Sequence, residues 1–309
     1  MSFNLTGLTA YTDEHAMDLI KRSTLRGRTL DLITIQPGIK SSAEINILDS
    51  DLVLQAGACG FGASGSTSLT QRTLAVDKIK INEAYCLDDL EAFYTQKLLR
   101  PGSYNEDNPI EQIWAEEKSE KIAATVEDVI WKGDKIGGSG NLALSDGFLK
   151  LFSATASGVI DGNPAGLTAI NAGNIIDIMD TQVSLINSDD IDADDLDIFC
   201  GYEIYRMYAK ALRDANLFHY DGTENQGQEF SQLVPGTNVR VIAVRGLNGT
   251  NKLATGRGAN FYFGTDLMND QESWRALFDE IEDDLKLTVK WKMGVQVAFP
   301  ERVVYFELA

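Results

Sequence analysis

A glycine-rich segment has the first spacing in this chain that could do chemistry. Gly60, Gly62 and Gly65 match the pattern G-x-G-x-x-G, in which backbone amides at the start of a helix bind the pyrophosphate of a dinucleotide. That site needs a strand before the glycines and a helix after them. A serine–threonine–serine run at residues 66–68 and then a β-branched stretch follow instead. The context therefore favours a flexible turn over a nucleotide site.

An aspartate-rich loop is the second candidate, because closely spaced carboxylates bind Ca²⁺. Six aspartates lie within residues 189–197. A calcium loop of the EF-hand type also needs glycine at its sixth position and glutamate at its twelfth. Counting from Asp190 puts Asp195 sixth and Gly201 twelfth, and counting from Asp192 puts another aspartate sixth. Neither register fits, so we expect a solvated acidic loop.

Residues for zinc binding or nucleophilic catalysis are few. The chain has two histidines, His15 and His219, and three widely spaced cysteines, Cys59, Cys86 and Cys200. A structural zinc site needs four close Cys or His ligands, and a Ser-His-Asp or Cys-His arrangement has few ways to form here. We therefore predict no catalytic residue, metal site or cofactor, and we expect buried thiols in a reduced cytosol.

Composition and charge exclude further classes of protein. The chain has 309 residues, 44% of them apolar, and a net charge of −19. Strong acidity opposes DNA binding, because phosphate contacts need clustered Lys and Arg. No apolar run approaches the ~20 residues that span a bilayer, and the N-terminus lacks the features of a secretory signal. We expect a cytoplasmic product with a sizeable core, no membrane partner and no tight DNA binding.

The basic residues near the N-terminus are the local exception to this acidity. They are Lys21, Arg22, Arg26 and Arg28. Two interpretations remain open: an arm that lies on a neighbouring subunit, or a solvated helix end. On the first interpretation, these four residues are candidate contacts between subunits.

The C-terminal segment alternates apolar and polar residues. Every second residue from Leu285 to Met293 is apolar, which predicts a strand with one buried face. Gly294 allows a bend or bulge, and the alternation then resumes up to Pro300. Val303–Leu308 predicts a final strand. We therefore expect the C-terminal residues to be part of the core, as in a structural component.

A long hairpin is predicted over residues 37–86. Strand-like segments at Ala43–Leu54 and Leu74–Ile81 flank a small-residue crest at Ala56–Ser68. A two-stranded hairpin buries little of itself, so we expect it to rest on another subunit. The residues predicted at its contacting crest are Gly60, Phe61 and Gly62.

A long helix is predicted over about 109–131. Asn108 can cap it and Pro109 suits its first position. Apolar residues then recur at steps of three and four up to Ile130, which is typical of one buried stripe. The helix should stop before Gly133.

Residues 160–250 predict a compact α/β unit. Helices near Asn174–Asn187 and Tyr202–Asn216 alternate with short strands at Leu196–Phe199 and Val239–Val244. Two further elements are predicted beyond it. They are a strand at Asn260–Phe263 and a helix at Asp270–Asp284 with the stripe Trp274, Leu277, Phe278 and Ile281.

These segments, in this order, resemble the major capsid protein of tailed bacteriophages, which has the HK-type (Hong Kong phage) capsid fold. The hairpin resembles the extended loop of that family. Glu120–Asp134, with the sequence EKIAATVEDVIWKGD, resembles its spine helix, and the unit containing Asp194–Leu212 is similar to its axial domain. Gly258–Leu267 and then Lys292–Pro300 resemble its return into the peripheral sheet.

The resemblance implies an α+β fold with a defined domain order. It consists of an N-terminal arm (1–36), the extended hairpin loop (37–86), a peripheral domain with spine helix and sheet (87–159 and 255–309) and an α/β axial domain (160–254). Some family members form a Lys–Asn isopeptide cross-link. The hairpin lysines Lys40, Lys78 and Lys80 have no identified partner, so no cross-link is predicted.

The resemblance also implies a function. The chain would self-assemble, as hexamers and pentamers, into the icosahedral shell that encloses the double-stranded DNA genome of a tailed phage. Scaffold, portal or decoration proteins are further candidate partners, and the location is the virion after synthesis in the host cytoplasm.

Two alternatives stay open at this point. A phage tail tube or sheath subunit predicts a sandwich-rich sheet without the long helix. A soluble enzyme would bind a phosphorylated ligand at the glycine loop, residues 60–65.

Overall fold

The structure, a computed structural model, describes residues 27–51, 53–55, 57, 64–86, 110–153, 157–215, 230–266, 273–279 and 284–309. These residues contain the helices α1 (Ile110–Lys132), α2 (Phe148–Ser153), α3 (Ile175–Ser184) and α4 (Tyr202–Asp214). The strands are β1 (Thr34–Gln36), β2 (Ser42–Asp51), β3 (Ser66–Ala75), β4 (Asp77–Cys86), β5 (Ile160–Asp161), β6 (Leu196–Cys200), β7 (Ser231–Leu233), β8 (Arg240–Ala243), β9 (Leu253–Arg257), β10 (Phe261–Thr265), β11 (Ser273–Asp279), β12 (Asp284–Val297) and β13 (Val304–Phe306). Within this described part, no helix is long and apolar enough to cross a membrane.

A five-stranded sheet, named here the peripheral sheet, is organised around β12. One edge of β12 pairs with β4, and the other edge pairs first with β11 and then with β10, which β1 joins in parallel. The predicted alternation is confirmed, because Leu287, Val289 and Trp291 are buried while Lys290 on the other face is exposed. Strand pairing thus fixes which face of the sheet forms the core.

Helix α1 covers the apolar face of the peripheral sheet. The predicted stripe is buried together with the sheet residues in one cluster. Its described members are Ile122, Val126, Val129 and Ile130. The helix ends before Gly133, where a Cβ would lie 2.2 Å from the carbonyl oxygen of Ser145. The predicted capping residues, Asn108 and Pro109, lie outside the described residues.

The predicted helix at 270–284 is wrong for the residues that the structure describes there. Ser273–Asp279 is the strand β11, paired antiparallel with β12 in the register Trp274↔Val289. The helical spacing of Trp274 and Leu277 is lost, and Leu277 is 57% exposed. The segment also alternates with period two, and the free edge of β12 supplies its backbone hydrogen bonds, so pairing overrides the local pattern.

A six-stranded sheet, named here the axial sheet, has the strand order β5-β13-β9-β6-β8-β7. The predicted helices near 174–187 and 202–216 are α3 and α4, which pack on it through a second buried cluster. The short strands predicted before and after α4 are β6 and β8. The C-terminal strand β13 pairs with β5 and β9. The C-terminal segment, expected wholly within the peripheral domain, therefore gives its last strand to the axial sheet.

Gly294 does not form a bulge. Its register with Gly264 of β10 continues without interruption from Met293 to Val297. A Cβ on Gly294 would lie 2.0 Å from the carbonyl oxygen of Ala75. The glycine is therefore required because the backbone of β3 crosses the sheet at this point.

The predicted hairpin divides into two parts. Strands β2 and β3 pair over ten residue pairs, from Ser42↔Ala75 to Asp51↔Ser66. The predicted second strand, Leu74–Ile81, breaks at Val76, after which β4 joins the peripheral sheet. Residues 77–86 therefore belong to the peripheral sheet and not to the hairpin. The crest, predicted over Ala56–Ser68, ends earlier than expected, because β3 begins at Ser66.

Residues 27–36 are not a free arm. Leu30 is 3% exposed, Thr29 is fully buried, and β1 pairs with β10 of the same chain. The predicted arm boundary at residue 36 is therefore too late. Residues 1–26 lie outside the described residues.

Candidate assembly interface

The hairpin β2–β3 has one buried face, which rests on the peripheral sheet. Ile45 and Ile47 of β2 are 7% and 8% exposed, and Leu74 of β3 is fully buried. They form a small cluster with Ile39 and Ala298. This face anchors the hairpin to its own subunit, so the expectation that the hairpin rests on another subunit is wrong for this face.

Polar contacts reinforce that anchor. Arg72 Nη1 donates to the carbonyl oxygen of Val297 at 2.9 Å, and Gln296 Nε2 donates to that of Thr73 at 2.9 Å. Both contacts join β3 to the end of β12. The hairpin therefore leaves the subunit from a base that is fixed by side chain–backbone hydrogen bonds as well as by packing.

A buried ion pair lies beneath the same base. Lys292 Nζ is 2.5 Å from Asp266 Oδ2, and the two side chains are 6% and 0% exposed. Lys292 Nζ also donates to the carbonyl oxygen of Lys40 at 3.0 Å, where the chain enters the hairpin. Lys292 lies on the polar face of β12, and the hairpin covers this part of that face. A buried charge of this kind requires a partner.

The other face of the hairpin is free in the described chain. Near the base its cross-strand neighbours satisfy each other: Gln71 donates to Asn46 at 2.8 Å, and Thr73 donates to Glu44 at 3.0 Å. Further out, an apolar pair follows in register. Its members, Leu48 and Leu69, are both 66% exposed.

Beyond the paired strands, the hairpin exposes two more apolar side chains, Val53 at 50% and Leu54 at 88%. The predicted contact residues Gly60, Phe61 and Gly62 lie outside the described residues. The glycine pattern is followed by strand β3, which begins at Ser66, and a helix N-terminus is therefore absent at the place where a dinucleotide site requires one.

The predicted basic contacts are described only at Arg28. Its Nη1 donates to the carbonyl oxygen of Ala243 at 3.2 Å within the same chain. Lys21, Arg22 and Arg26 lie outside the described residues. The structure thus separates Arg28, which contributes to its own subunit, from the other three, whose contacts stay a prediction.

The chain that follows Arg28 is fixed to α1 by a buried hydrogen-bonded triad. Trp131 Nε1 donates to Thr29 Oγ1 at 2.8 Å, and Thr29 Oγ1 donates to Glu127 Oε1 at 3.0 Å. Burial raises the pKa of Glu127, and the hydrogen bond from Thr29 opposes this shift. No local pattern predicts this triad, because Thr29 and Glu127 are remote in the chain.

The acidic loop is only partly solvated, so that expectation is wrong for two aspartates. Asp190 is 3% exposed, and its Oδ1 accepts from Arg302 Nη1 at 3.1 Å. Asp197 accepts from Arg240 at 2.7 and 3.1 Å, and burial raises its pKa while Arg240 opposes the shift. These pairs join the loop to two remote segments, the short 3₁₀ helix Pro300–Arg302 and the strand β8. In the described part of the chain, no group of three or more candidate ligands could hold a metal ion.

A cleft of about 250 Å³ lies between α1 and the peripheral sheet. Its walls are mainly apolar and include Ile81, Ile122 and Trp291. A Lys118–Glu83 ion pair of 2.5 Å lies among its lining residues. None of the lining residues comes from the glycine loop, so the cleft gives no support to a phosphate site there.

No family model and no curated protein matches the sequence. Solved structures do match. A chain of the satellite phage P4 procapsid including size determination (Sid) protein aligns with a TM-score of 0.63 at 13% identity, covering 94% of this chain and 89% of that one. A chain from the capsid of a native GTA particle aligns with a TM-score of 0.55 at 15% identity, covering 93% of this chain and 90% of that one. A virus-like particle from Pyrococcus furiosus gives 0.54 at 12% identity, covering 96% and 99%.

These similarities extend over nearly the whole chain. At such low identity they establish the architecture. They agree with the order of elements from which the resemblance was inferred, and they contain no tail tube or sheath subunit among those named. The chain therefore has the HK-type fold of capsid subunits.

Proposed function

We propose that this chain is the major capsid protein of a tailed phage, which self-assembles into an icosahedral shell around a double-stranded DNA genome. The observation that carries the proposal is the hairpin β2–β3, anchored on one face and exposing apolar side chains on the other. Burying Leu48 and Leu69 against a neighbour would remove apolar area from water, at roughly 25 cal/mol per Å². A monomer gains nothing from exposing them.

The fold supports the same function. The capsid chains reported above align with this chain over 89% and 90% of their own lengths. The tail tube or sheath alternative expected no long helix, whereas α1 spans Ile110–Lys132. The proposal also implies that the protein is not an enzyme and that it is located in the virion, with homo-oligomeric contacts as its main interactions.

The test compares the full chain with a variant of the exposed hairpin pair. We expect the purified chain to form closed shells by electron microscopy and sedimentation. Leu48→Gln combined with Leu69→Gln should leave the melting temperature of the subunit nearly unchanged and abolish shells. The matched control is Ile136→Gln with Leu233→Gln, two apolar side chains exposed at 90% and 45% away from the hairpin.

Two results would oppose the proposal. Shells formed equally well by the hairpin variant would show that its outer face is not an assembly contact. A wild-type chain that stays monomeric under all conditions tested, or forms tubes, would contradict the capsid function itself.

A further inference from the structure

The face of the peripheral sheet opposite α1 carries a cluster of positive charge in a strongly acidic chain. Strand register places Lys80 of β4 directly opposite Lys290 of β12. Lys78 lies two residues away on the same face, and Arg275 of β11 is paired with Thr288 beside them. All four cations are exposed. We name Lys78, Lys80, Arg275 and Lys290 the basic face.

The basic face lacks internal neutralisation. Within the described chain, none of its four cations forms an ion pair, whereas the neighbouring Lys286 pairs with Asp279 at 2.6 Å. Like charges directly opposite each other on adjacent strands destabilise a sheet. The Lys80–Lys290 juxtaposition is therefore a cost to the isolated subunit that an acidic partner would offset.

The chain's own hairpin covers only the other half of this sheet face. Gly294 lies under the backbone of Ala75, and Gln296 contacts Thr73, so residues 292–298 are occupied from within the subunit. The basic face begins where that cover ends. Its four residues lie on paired strands rather than on loops, so their positions are fixed for a docking partner.

The rest of the molecule indicates which partner is complementary. The chain has 46 Asp and Glu against 27 Lys and Arg, so two copies present mainly negative surfaces that repel each other. Asp189, Asp192 and Asp194 are among the acidic side chains that are exposed. A cationic face on each copy allows acidic copies to meet in one orientation, because complementary charge fixes register and speeds association.

We infer that the basic face binds an acidic surface of a second copy of this chain during assembly. The inference rests on the proposed function and identifies a second contact surface, separate from the hairpin pair Leu48 and Leu69. The interaction weakens as salt rises, because exposed charges are screened. The competing partner, duplex DNA, would use the same cations on phosphates.

The decisive variant is Lys80→Glu, which changes the cross-strand pair into Glu–Lys. The subunit should melt at the wild-type temperature or slightly above it, since a like-charge pair becomes an opposite-charge pair. Its critical concentration for shell assembly should rise by on the order of tenfold or more, because like charges would then meet across the interface. Lys290→Glu reverses the other partner of the pair and should act in the same way.

The matched control is Lys210→Glu on α4, an exposed lysine away from the sheet with the same change in net charge. It should leave assembly close to wild type. Equal impairment by the control would mean that net charge alone matters, which would overturn the inference. Normal assembly of Lys80→Glu would also overturn it.

The remaining experiment measures the binding of mixed-sequence duplex DNA to the chain, by filter binding at two salt concentrations. Tight binding with a steep salt slope, lost in Lys80→Glu while its shells still form, would assign the face to DNA and overturn the inference. If the wild-type chain failed to assemble, the proposed function and this inference would both be overturned. If the wild-type chain and Lys80→Glu assembled equally well, only the inference would be overturned.

Discussion

The two faces of the hairpin β2–β3 have the same strand geometry but opposite surroundings. On the inner face Leu74 is fully buried, and on the outer face of the same strand Leu69 is 66% exposed. Both leucines have a cross-strand neighbour in register. Pairing two strands therefore satisfies backbone hydrogen bonds without making a core, and a second layer packed on the hairpin decides which side chains are buried. The peripheral sheet is that layer for the inner face, and we propose a neighbouring subunit for the outer one.

The largest effect expected from this comparison is on subunit stability. Leu74→Ala should lower the free energy of unfolding by ~2–5 kcal/mol, because it leaves a cavity in the cluster beneath the hairpin. Leu69→Ala, the same change on the outer face of the same strand, should stay within about 0.5 kcal/mol. Urea unfolding of the unassembled subunits measures both. Equal losses for the two variants would mean that the outer face is also packed within the subunit.

A smaller effect is expected where the hairpin crosses β12. Gly294→Ala places a methyl group against the carbonyl oxygen of Ala75, so the backbone must shift, at a cost of typically 1–3 kcal/mol. Gly57→Ala is the matched control, because no atom lies within 4 Å of a Cβ built there. Thermal unfolding compares the two variants. If Gly294→Ala melted like the control, the close approach of β3 to β12 would be refuted.

The smallest effect concerns the hydrogen-bonded triad of Trp131, Thr29 and Glu127, and it depends on pH. The pKa of Glu127 is raised by burial above its ordinary value of 4.5, so the folded state holds a proton that the unfolded state releases. The contribution of Glu127 to the free energy of unfolding is therefore greatest below pH 4.5, the ordinary pKa of the group, and it is lost as pH rises through the raised pKa. Glu127→Gln should gain stability relative to wild type as pH rises across this window.

Denaturant unfolding at several pH values between acid and neutral measures that difference. Trp131→Phe with Glu127 retained is a useful comparison, since it removes the indole donor of the triad and keeps the carboxyl group. A constant difference between wild type and Glu127→Gln at every pH would show that Glu127 is already ionised without penalty in the folded subunit.

The outline of the fold was predictable because its signals are local and long. The stripe of α1, the alternation of β12 and the helices α3 and α4 each repeat one pattern over many residues, and the order of these elements sufficed for the capsid resemblance. Short or ambiguous segments were predicted less well. Ser273–Asp279 fits helix and strand patterns alike, and only the available edge of β12 decides between them.

The contact of the hairpin with another subunit stays a prediction. The sequence predicted a long hairpin without a partner in its own chain, whereas the structure packs one of its faces on the peripheral sheet. The basic face was not visible at all, since Lys80, Arg275 and Lys290 are dispersed along the chain and only strand register brings them together. The acidic loop was misjudged for the same reason, because the arginines that pair with Asp190 and Asp197 come from segments remote in the sequence.

The chain's acidity, its longest helix and the strands with a sustained alternation could be predicted from the sequence, because they depend on composition and on the periodicity of neighbouring residues. The burial of Lys292 with Asp266, the need for a glycine at position 294 and the pairing of the last strand with the axial sheet became visible only in the folded chain. Each of these depends on which remote segment lies above or beside the residue. Burial, charge pairing and close backbone approach are properties of such contacts, and no local pattern specifies them.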